Sequence, residues 1–201
     1  YQNKEKFFLK NKIDKNKKLI IFVSENVKKD HGLKRGYHQD IVIPMLCKNL
    51  EKFSKNIHLL ILPHPDENSE KLIKTFKKNC IRLSFSKISK DFSSRQAVMS
   101  SDGVSGMASI LLYEGWLIGK KVISLQPGVI GPNYTYLKKK EKLKFVSKKS
   151  EFNNTLKTWL EEIFNKNDDN KGIVTKNMQD LMRHSKASNF ITELIEGIFK
   201  I

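Results

Sequence analysis

Short apolar runs alternate with longer amphipathic segments along this chain, and this pattern limits the possible folds more than any other feature. Residues 18–24 and 57–62 are continuous apolar runs of strand length, which is typical of strands buried on both faces. Between them, the apolar residues of 37–53 recur at helical spacing. Strands that alternate with helices in this way form parallel sheets. We therefore predict an α/β domain with a doubly wound, Rossmann-like parallel sheet of about five or six strands.

The same patterns divide the chain into three parts. Residues 1–17 are rich in Lys and Asn and are predicted to be a polar lead-in or interlobe linker, 18–166 the Rossmann-like lobe, and 167–201 a C-terminal helical tail. Because the chain opens with Tyr1 and lacks the apolar centre of a signal peptide, we interpret it as a fragment or the second half of a longer protein. Within the lobe, further strands are predicted at 81–83, near Asp102, at 121–125 and at 143–146, and helices at 68–78, 91–99, 105–118 and 150–164.

The composition excludes several classes of protein. No apolar run approaches the roughly 18–20 residues that cross a bilayer. Cys47 and Cys80 are predicted to be reduced thiols of a cytosolic protein, because their spacing suggests no zinc site. No set of His, Asp and Glu has the spacing of metal ligands, so we expect neither a metal nor another cofactor.

The net charge of +17 is open to two interpretations. A basic face could bind a membrane or an acidic glycan, with 138–149 as the densest cluster, or the lysines could reflect an AT-rich genome. Only four of the 38 basic residues are arginine, the residue on which base and phosphate readers usually rely. The aromatic strand motifs of RNA readers are also absent, so nucleic acid is not an expected partner.

A glycine- and serine-rich stretch, Ser101-Asp-Gly-Val-Ser-Gly-Met-Ala-Ser109, is the strongest candidate for a ligand-binding turn. Doubly wound sheets bind ligands at the carboxyl ends of their strands. Here we predict a strand that ends near Asp102 and a helix that begins at Ser105, whose free N–H groups and positive dipole would hold a phosphate. The alternative is a plain strand-to-helix turn with a serine cap. The predicted phosphate-binding residues are Gly103, Ser105, Gly106, Met107 and Ser109.

Glu114 lies in an otherwise apolar part of the helix that follows. An unpaired carboxylate would be costly there, so Glu114 either accepts hydrogen bonds from a ribose diol or pairs with a nearby lysine.

The block 100–127 resembles the C-terminal lobe of two-lobed, GT-B type glycosyltransferases. The resemblance rests on Asp102-Gly103-x-Ser105-Gly106, on a helix that carries Glu114, and on the run from Gly119 to Pro127, and it extends more weakly over roughly 18–165. It implies that the turn holds the diphosphate of a nucleotide sugar and that Glu114 holds its ribose. The lobe is shared with non-hydrolysing UDP-N-acetylglucosamine 2-epimerases, but the paired glutamates of their turn are absent, which argues against the epimerase reaction.

Leu62-Pro63-His64-Pro65 is similar to the His-Pro element of sialyl-, polysialyl- and glycerophosphate-transferases. The similarity implies that His64 is catalytic, either as a hydrogen-bond donor to the leaving phosphate or as a general acid. The alternative is a structural turn that ends the strand.

The remaining candidates follow other predicted strands. The resemblance to GT-B lobes implies that Ser24, Glu25 and Gln126 face the sugar or acceptor and that Phe85 stacks on the base. Weaker candidates are His31, His38, Asn133 and Tyr134. For Phe85 the alternative is packing in the core, and for the loop histidines it is simple solvation.

These observations together predict the donor-binding lobe of a sugar-transferring enzyme. It would use a UDP- or CMP-linked sugar in polysaccharide or glycoconjugate synthesis, with a glycan or lipid-linked acceptor and an N-terminal lobe or partner chain completing the site. We expect a cytoplasmic location, peripheral to the inner membrane face. Alternatives are a non-catalytic nucleotide- or glycan-binding module with a basic surface, and an epimerase lobe.

Overall fold

The computed structural model describes residues 2–131 and 136–165, which form a parallel sheet with helices on both faces. The strands are β1 Lys18–Val23, β2 Ile57–Leu62, β3 Ser84–Lys87, β4 Gly103–Gly106, β5 Lys121–Leu125 and β6 Lys144–Val146. The helices are α1 Gln2–Lys10, α2 Val27–His31, α3 Gln39–Leu50, α4 Ser69–Asn79, α5 Ser94–Ser100, α6 Ile110–Leu117 and α7 Phe152–Phe164. Three short 3₁₀ turns cover Glu51–Phe53, Tyr136–Lys139 and Lys149–Glu151.

The sheet has six parallel strands in the order β3-β2-β1-β4-β5-β6. From β1 the chain adds β2 and β3 on one side and then crosses to add β4, β5 and β6 on the other side. The crevice at the carboxyl ends of β1 and β4 is therefore the topological switch point. The predicted doubly wound α/β fold is thereby confirmed.

Two apolar layers hold the helices against the sheet. Alternate residues of β1 divide between them: Ile20 and Phe22 pack with α3, α4 and α7, whereas Leu19 and Ile21 pack with α1, α5 and α6. Because each face of the central strands is covered, β1 and β2 are apolar along their whole length, as their sequences indicated.

Helix α1 occupies part of the segment that the sequence analysis treats as a polar lead-in. Its Phe7 and Phe8 are buried against the face that carries α5 and α6, and Ile13 is buried after it. The many lysines around them obscure this apolar side in the sequence. The predicted tail at 167–201, together with Asn133 and Tyr134, lies outside the described residues.

The position predicted for the fourth strand is wrong. The strand begins at Gly103 instead of ending near Asp102, and α6 begins at Ile110 instead of Ser105. Gly103 is needed for packing between the sheet and α7. A Cβ at this position would lie 2.4 Å from Ile163 Cδ1 and 2.8 Å from Trp159 Cζ2, both on α7. The strand predicted at 81–83 is similarly displaced, because β3 begins at Ser84.

No helix in the described ranges is both long enough and apolar enough to cross a bilayer.

Candidate functional site

The turn between β4 and α6 lies at the carboxyl edge of the sheet and consists of Met107, Ala108 and Ser109. Ser109 is the N-cap of α6, and its hydroxyl accepts a hydrogen bond from the N–H of Leu111. The backbone N–H groups of this turn point out of the helix start, where an anion is favoured by the helix dipole.

A carboxylate of the chain itself occupies this position. Glu25, just beyond β1, accepts a hydrogen bond from the N–H of Ala108 through Oε2. Burial raises the pKa of Glu25 above its ordinary value, while the backbone N–H groups of Ala108, Met107 and Ser109 and the nearby His64 oppose that rise. The turn therefore holds a carboxyl group of the chain itself, which burial makes costly to keep ionised.

Gln126 and Ser124 fix the shape of the same turn from β5. The Gln126 amide donates to the carbonyl oxygen of Met107 (2.9 Å) and to Ser124 Oγ (2.9 Å), and the Ser124 hydroxyl donates to the Met107 oxygen as well. Gln126 Oε1 and, across the crevice, Ser24 Oγ are fully buried without a hydrogen-bond partner among the described residues. Buried polar atoms are usually paired, so these two unpartnered oxygens are candidate contacts for a ligand.

Ser105 and Gly106 lie inside β4 rather than at the start of a helix. The Ser105 side chain is fully buried and its hydroxyl donates to the carbonyl oxygen of Ile21 at 2.7 Å. Gly103 lies at the opposite end of the strand. Of the five residues predicted to bind phosphate, only Met107 and Ser109 belong to the turn, because the strand extends four residues further than the sequence pattern indicated.

Glu114 is buried in α6 and forms a bidentate ion pair with Arg95 of α5. Arg95 Nε lies 3.1 Å from Oε2 and Nη2 lies 3.0 Å from Oε1. The sequence analysis gave pairing with a nearby lysine as the alternative to ribose binding. Glu114 does pair with a basic residue, but that residue is an arginine. A carboxylate has about four lone-pair positions, so two remain for further donors such as ribose hydroxyls. The contact raises the pKa of Arg95 through its hydrogen bond and charge interaction with Glu114.

His64 lies two residues beyond the end of β2 and is close enough to Glu25 to affect the pKa of Glu25. Its Nδ1 accepts a weak hydrogen bond from the N–H of Asp66 (3.3 Å) and lies 3.9 Å from Asp66 Oδ2. The ring is part-exposed, and Nε2 makes no hydrogen bond to any described residue. His64 and Glu25 thus stand together at the ends of neighbouring strands, where a proton donor and acceptor could act on one ligand.

The other candidates lie further from the turn. Phe85 is half-buried, and its ring packs on that of Phe76 with 6.1 Å between centroids, so its role in base stacking stays a prediction. His31 is exposed in α2 and contacts Arg35 (2.9 Å). His38 is buried at the start of α3, and its Nδ1 lies 3.7 Å from Asp40 Oδ2, beyond hydrogen-bond distance.

Arg95 was missed by the sequence analysis. A buried Glu114 requires a cationic partner, and Arg95 is one of only four arginines, so the pair was within reach of sequence reasoning. No group of three His, Cys, Asp or Glu side chains within the described ranges is arranged to hold a metal ion.

Comparisons with known proteins agree with this architecture. The UDP-GlcNAc 2-epimerase from Neisseria meningitidis bound to UDP-GlcNAc matches at a TM-score of 0.54 and 14% identity, over 96% of this chain and 47% of that chain. The E. coli ADP-heptose lps heptosyltransferase II matches at 0.54 and 10%, over 81% and 51%. The wall teichoic acid polymerase TagF matches at 0.51 and 11%, over 94% and 48%.

The class of the fold follows from these matches. The chain has a GT-B-like α/β lobe, the fold that glycosyltransferases and UDP-GlcNAc 2-epimerases share, and it spans about half the length of the three matched proteins. No protein-family model matches the chain, and no curated protein matches it in sequence. Since the epimerase and the heptosyltransferase match equally well, the similarity extends to the fold and does not separate the two activities.

Proposed function

We propose that this lobe binds the nucleotide-activated sugar of a sugar-transferring enzyme that serves polysaccharide or glycoconjugate synthesis. The observation that carries the proposal is the carboxylate of Glu25 bound at the N-terminus of α6 by the N–H of Ala108. A group of the same charge as a phosphate already uses these donors, at the switch point of the sheet.

In this proposal the diphosphate replaces the Glu25 carboxylate at the turn. A diphosphate brings more negative charge and more acceptor oxygens than one carboxylate, and Glu25 gains solvation when it leaves a position where burial raises its pKa. The unpartnered oxygens of Gln126 and Ser24 then face hydroxyl donors of the sugar.

Arg95 would act by holding Glu114 in position for the ribose. Because the bidentate contact fixes the carboxylate plane, the two remaining lone-pair positions are oriented in advance. Ribose hydroxyls can donate to them without breaking the ion pair.

Displacement at the anomeric carbon requires stabilisation of the leaving phosphate. His64 can donate a hydrogen bond to it from the end of β2, and α6 adds its dipole. Once displaced from the turn, Glu25 lies beside the same centre and can accept a proton. The acceptor and the remaining contacts would come in part from a second lobe, since this chain spans about half the length of the matched proteins.

The first test is a thermal-shift screen against UDP, CDP, ADP, GDP, CMP and UDP-GlcNAc. Saturation at about 100 times Kd adds about 2.7 kcal/mol, which for a chain of this size raises Tm by about 5–11 °C. We expect one nucleotide diphosphate or its sugar to give such a rise. No rise with any of them would remove the support for donor binding and favour an interaction module.

The second test is Glu25→Gln, with Asp30→Asn as a matched control on exposed α2. Removing the internal anion should tighten binding of the selected nucleotide diphosphate about tenfold by calorimetry, since about 1.4 kcal/mol of displacement cost is lost. Asp30→Asn should leave the affinity unchanged. Weaker binding by Glu25→Gln would contradict displacement and indicate direct contact between Glu25 and the ligand.

A further inference from the structure

A cavity of about 490 Å³ opens between the loops that follow β1 and β2. The N-terminal turns of α3 and α4 form its walls, and Ile43 and Leu72 provide apolar surface. The polar lining comes from Asn26, Lys28, Lys29, Gln39, Asp40, Asp66, Glu67, Asn68, Lys71 and Thr75.

The cavity is formed by segments that follow Glu25 and His64 in the chain. Asn26 directly follows Glu25, and Asp66 follows His64 by two residues. In the sheet, β1 lies between β2 and β4, and α6 follows β4. The cavity, beyond the ends of β1 and β2, and the α6 turn, beyond the end of β4, are therefore neighbours along the carboxyl edge of the sheet.

Two of the three cavity carboxylates are already engaged. Asp40 pairs with Lys28 at 2.6 Å, and the hydrogen bond from Lys28 lowers the pKa of Asp40. Glu67 accepts from the Gln39 amide (3.4 Å) and from the N–H of His64 (3.3 Å).

Several donors in the same cavity remain available. Lys29 and Lys71 are exposed, and no carboxylate within the described ranges lies within 4.0 Å of either ammonium group. Asn26 is more than nine-tenths buried, and its Nδ2 has no hydrogen-bond acceptor among the described residues. An unpaired buried amide donor costs free energy until a ligand or solvent satisfies it.

We propose that this cavity binds a saccharide that carries one anionic group, a carboxylate or a phosphate, as the acceptor of the proposed transfer. Lys29 and Lys71 hold the anion, the amides and Asp66 bond to hydroxyls, and Ile43 and Leu72 contact the ring. A bare anion fits less well, because three carboxylates line the cavity and would oppose it. The acceptor role rests on the proposed function, whereas saccharide binding does not.

The test measures binding by ligand-observed NMR at fixed ionic strength, with glucuronate, glucose 6-phosphate and neutral glucose as probes. At least one anionic probe should bind about tenfold more tightly than glucose. Binding of glucuronate alone identifies a sugar carboxylate, and binding of glucose 6-phosphate alone identifies a sugar phosphate. Equal binding of glucose would overturn the proposal.

The decisive variant is Lys29→Glu/Lys71→Glu, compared with Lys55→Glu/Lys78→Glu. Both pairs consist of exposed lysines and change the net charge equally, but Lys55 and Lys78 lie outside the cavity lining. The first pair of substitutions should lower the affinity for the anionic probe about tenfold, and the second pair should lower it less than about twofold. Equal losses in the two double variants would mean that general charge attracts the probe and would overturn the site.

Nucleotide binding in the same samples separates this proposal from the previous one. Wild-type protein that binds a nucleotide but no anionic probe overturns the saccharide site alone. Protein that binds the probe but no nucleotide overturns the donor lobe and, with it, the acceptor role. Loss of nucleotide affinity in Lys29→Glu/Lys71→Glu would assign the cavity to the donor and contradict the proposal.

Discussion

The two edges of the sheet differ in how their polar groups are bonded. At the amino edge, Asp102 Oδ2 accepts the N–H of Leu19 at 2.8 Å, and the Lys120 ammonium donates to the carbonyl oxygens of Met99 (2.6 Å) and Ser101 (2.8 Å). Glu51 accepts the N–H groups of three successive residues that lead into β3. Polar groups at this edge serve to join elements of the fold.

At the carboxyl edge, polar atoms are buried without partners. Ser24 Oγ, Asn26 Nδ2, His38 Nδ1 and Gln126 Oε1 all lie there and lack hydrogen bonds within the described ranges. Trp159 Nε1 on α7 is also buried without a partner among the described residues, and its ring packs against Gly103 at the amino end of β4. Native structures rarely retain such atoms in one place unless a ligand or solvent completes them. The difference indicates that the carboxyl edge is kept for binding and the amino edge for stability.

The largest effect should appear at the amino edge in the pH dependence of stability. His58, near the start of β2, has a pKa lowered to about 4 by burial and by nearby Lys17. Above about pH 6.5 it is neutral in both the folded and the unfolded chain; as the pH falls, only the unfolded chain takes up the proton. This lowers the free energy of unfolding by about 3 kcal/mol once the pH is below 4.

Urea unfolding between about pH 7 and about pH 4 measures this loss. His58→Gln, which can keep a hydrogen bond to Ser86, should lose less stability than wild type over this range. Parallel pH profiles of the two proteins would contradict the assignment of a neutral, buried His58.

A smaller effect is expected at Asp102, which joins β1 to β4. Asp102→Ala should lower stability by about 2 kcal/mol, because the buried N–H of Leu19 loses its acceptor. Asp102→Asn keeps an oxygen there and should cost less. Calorimetric melting measures both, and nucleotide affinity should not change. A loss of affinity with intact folding would place Asp102 in the ligand site, against the edge comparison.

The smallest stability effect is expected at Ser24. Its hydroxyl has no hydrogen-bond partner among the residues that the structure describes, so Ser24→Ala should change stability by less than about 0.5 kcal/mol while weakening nucleotide-sugar binding by about 3- to 10-fold. Ser101→Ala is the matched amino-edge control, because its buried hydroxyl donates to the Val98 oxygen at 2.8 Å. Ser101→Ala should lower the free energy of unfolding by about 1 kcal/mol without changing the affinity for the nucleotide sugar. The reverse pattern would remove the distinction between the edges.

The sequence predicted the sheet better than it predicted the site. Strands 57–62 and 121–125 are found as expected, because apolar runs are local signals. The fourth strand was misplaced because Gly and Ser usually indicate a turn. Here contacts with Trp159 and Ile163 of α7, more than 50 residues away, require a glycine inside a strand.

Pairing between distant side chains explains the rest. Glu25 was predicted to face the sugar, and its contact with the α6 turn joins residues 83 positions apart. Likewise, Glu114 could be identified as a buried carboxylate, but its partner on α5 depended on how two helices pack. Strand-end positions are encoded locally, whereas the bonds among them are set by the sheet order.

The central claim, that the head of α6 binds the phosphates of a nucleotide sugar, is tested most directly by titrating ¹⁵N-labelled protein with UDP-GlcNAc, or with the nucleotide sugar selected by the screen. We expect the largest amide shift changes at Met107, Ala108 and Ser109, together with that of Glu25 as its carboxylate leaves the turn. Saturable changes that cluster at the amino edge or among the lysines of 138–149, with the α6 turn unperturbed, would contradict the claim.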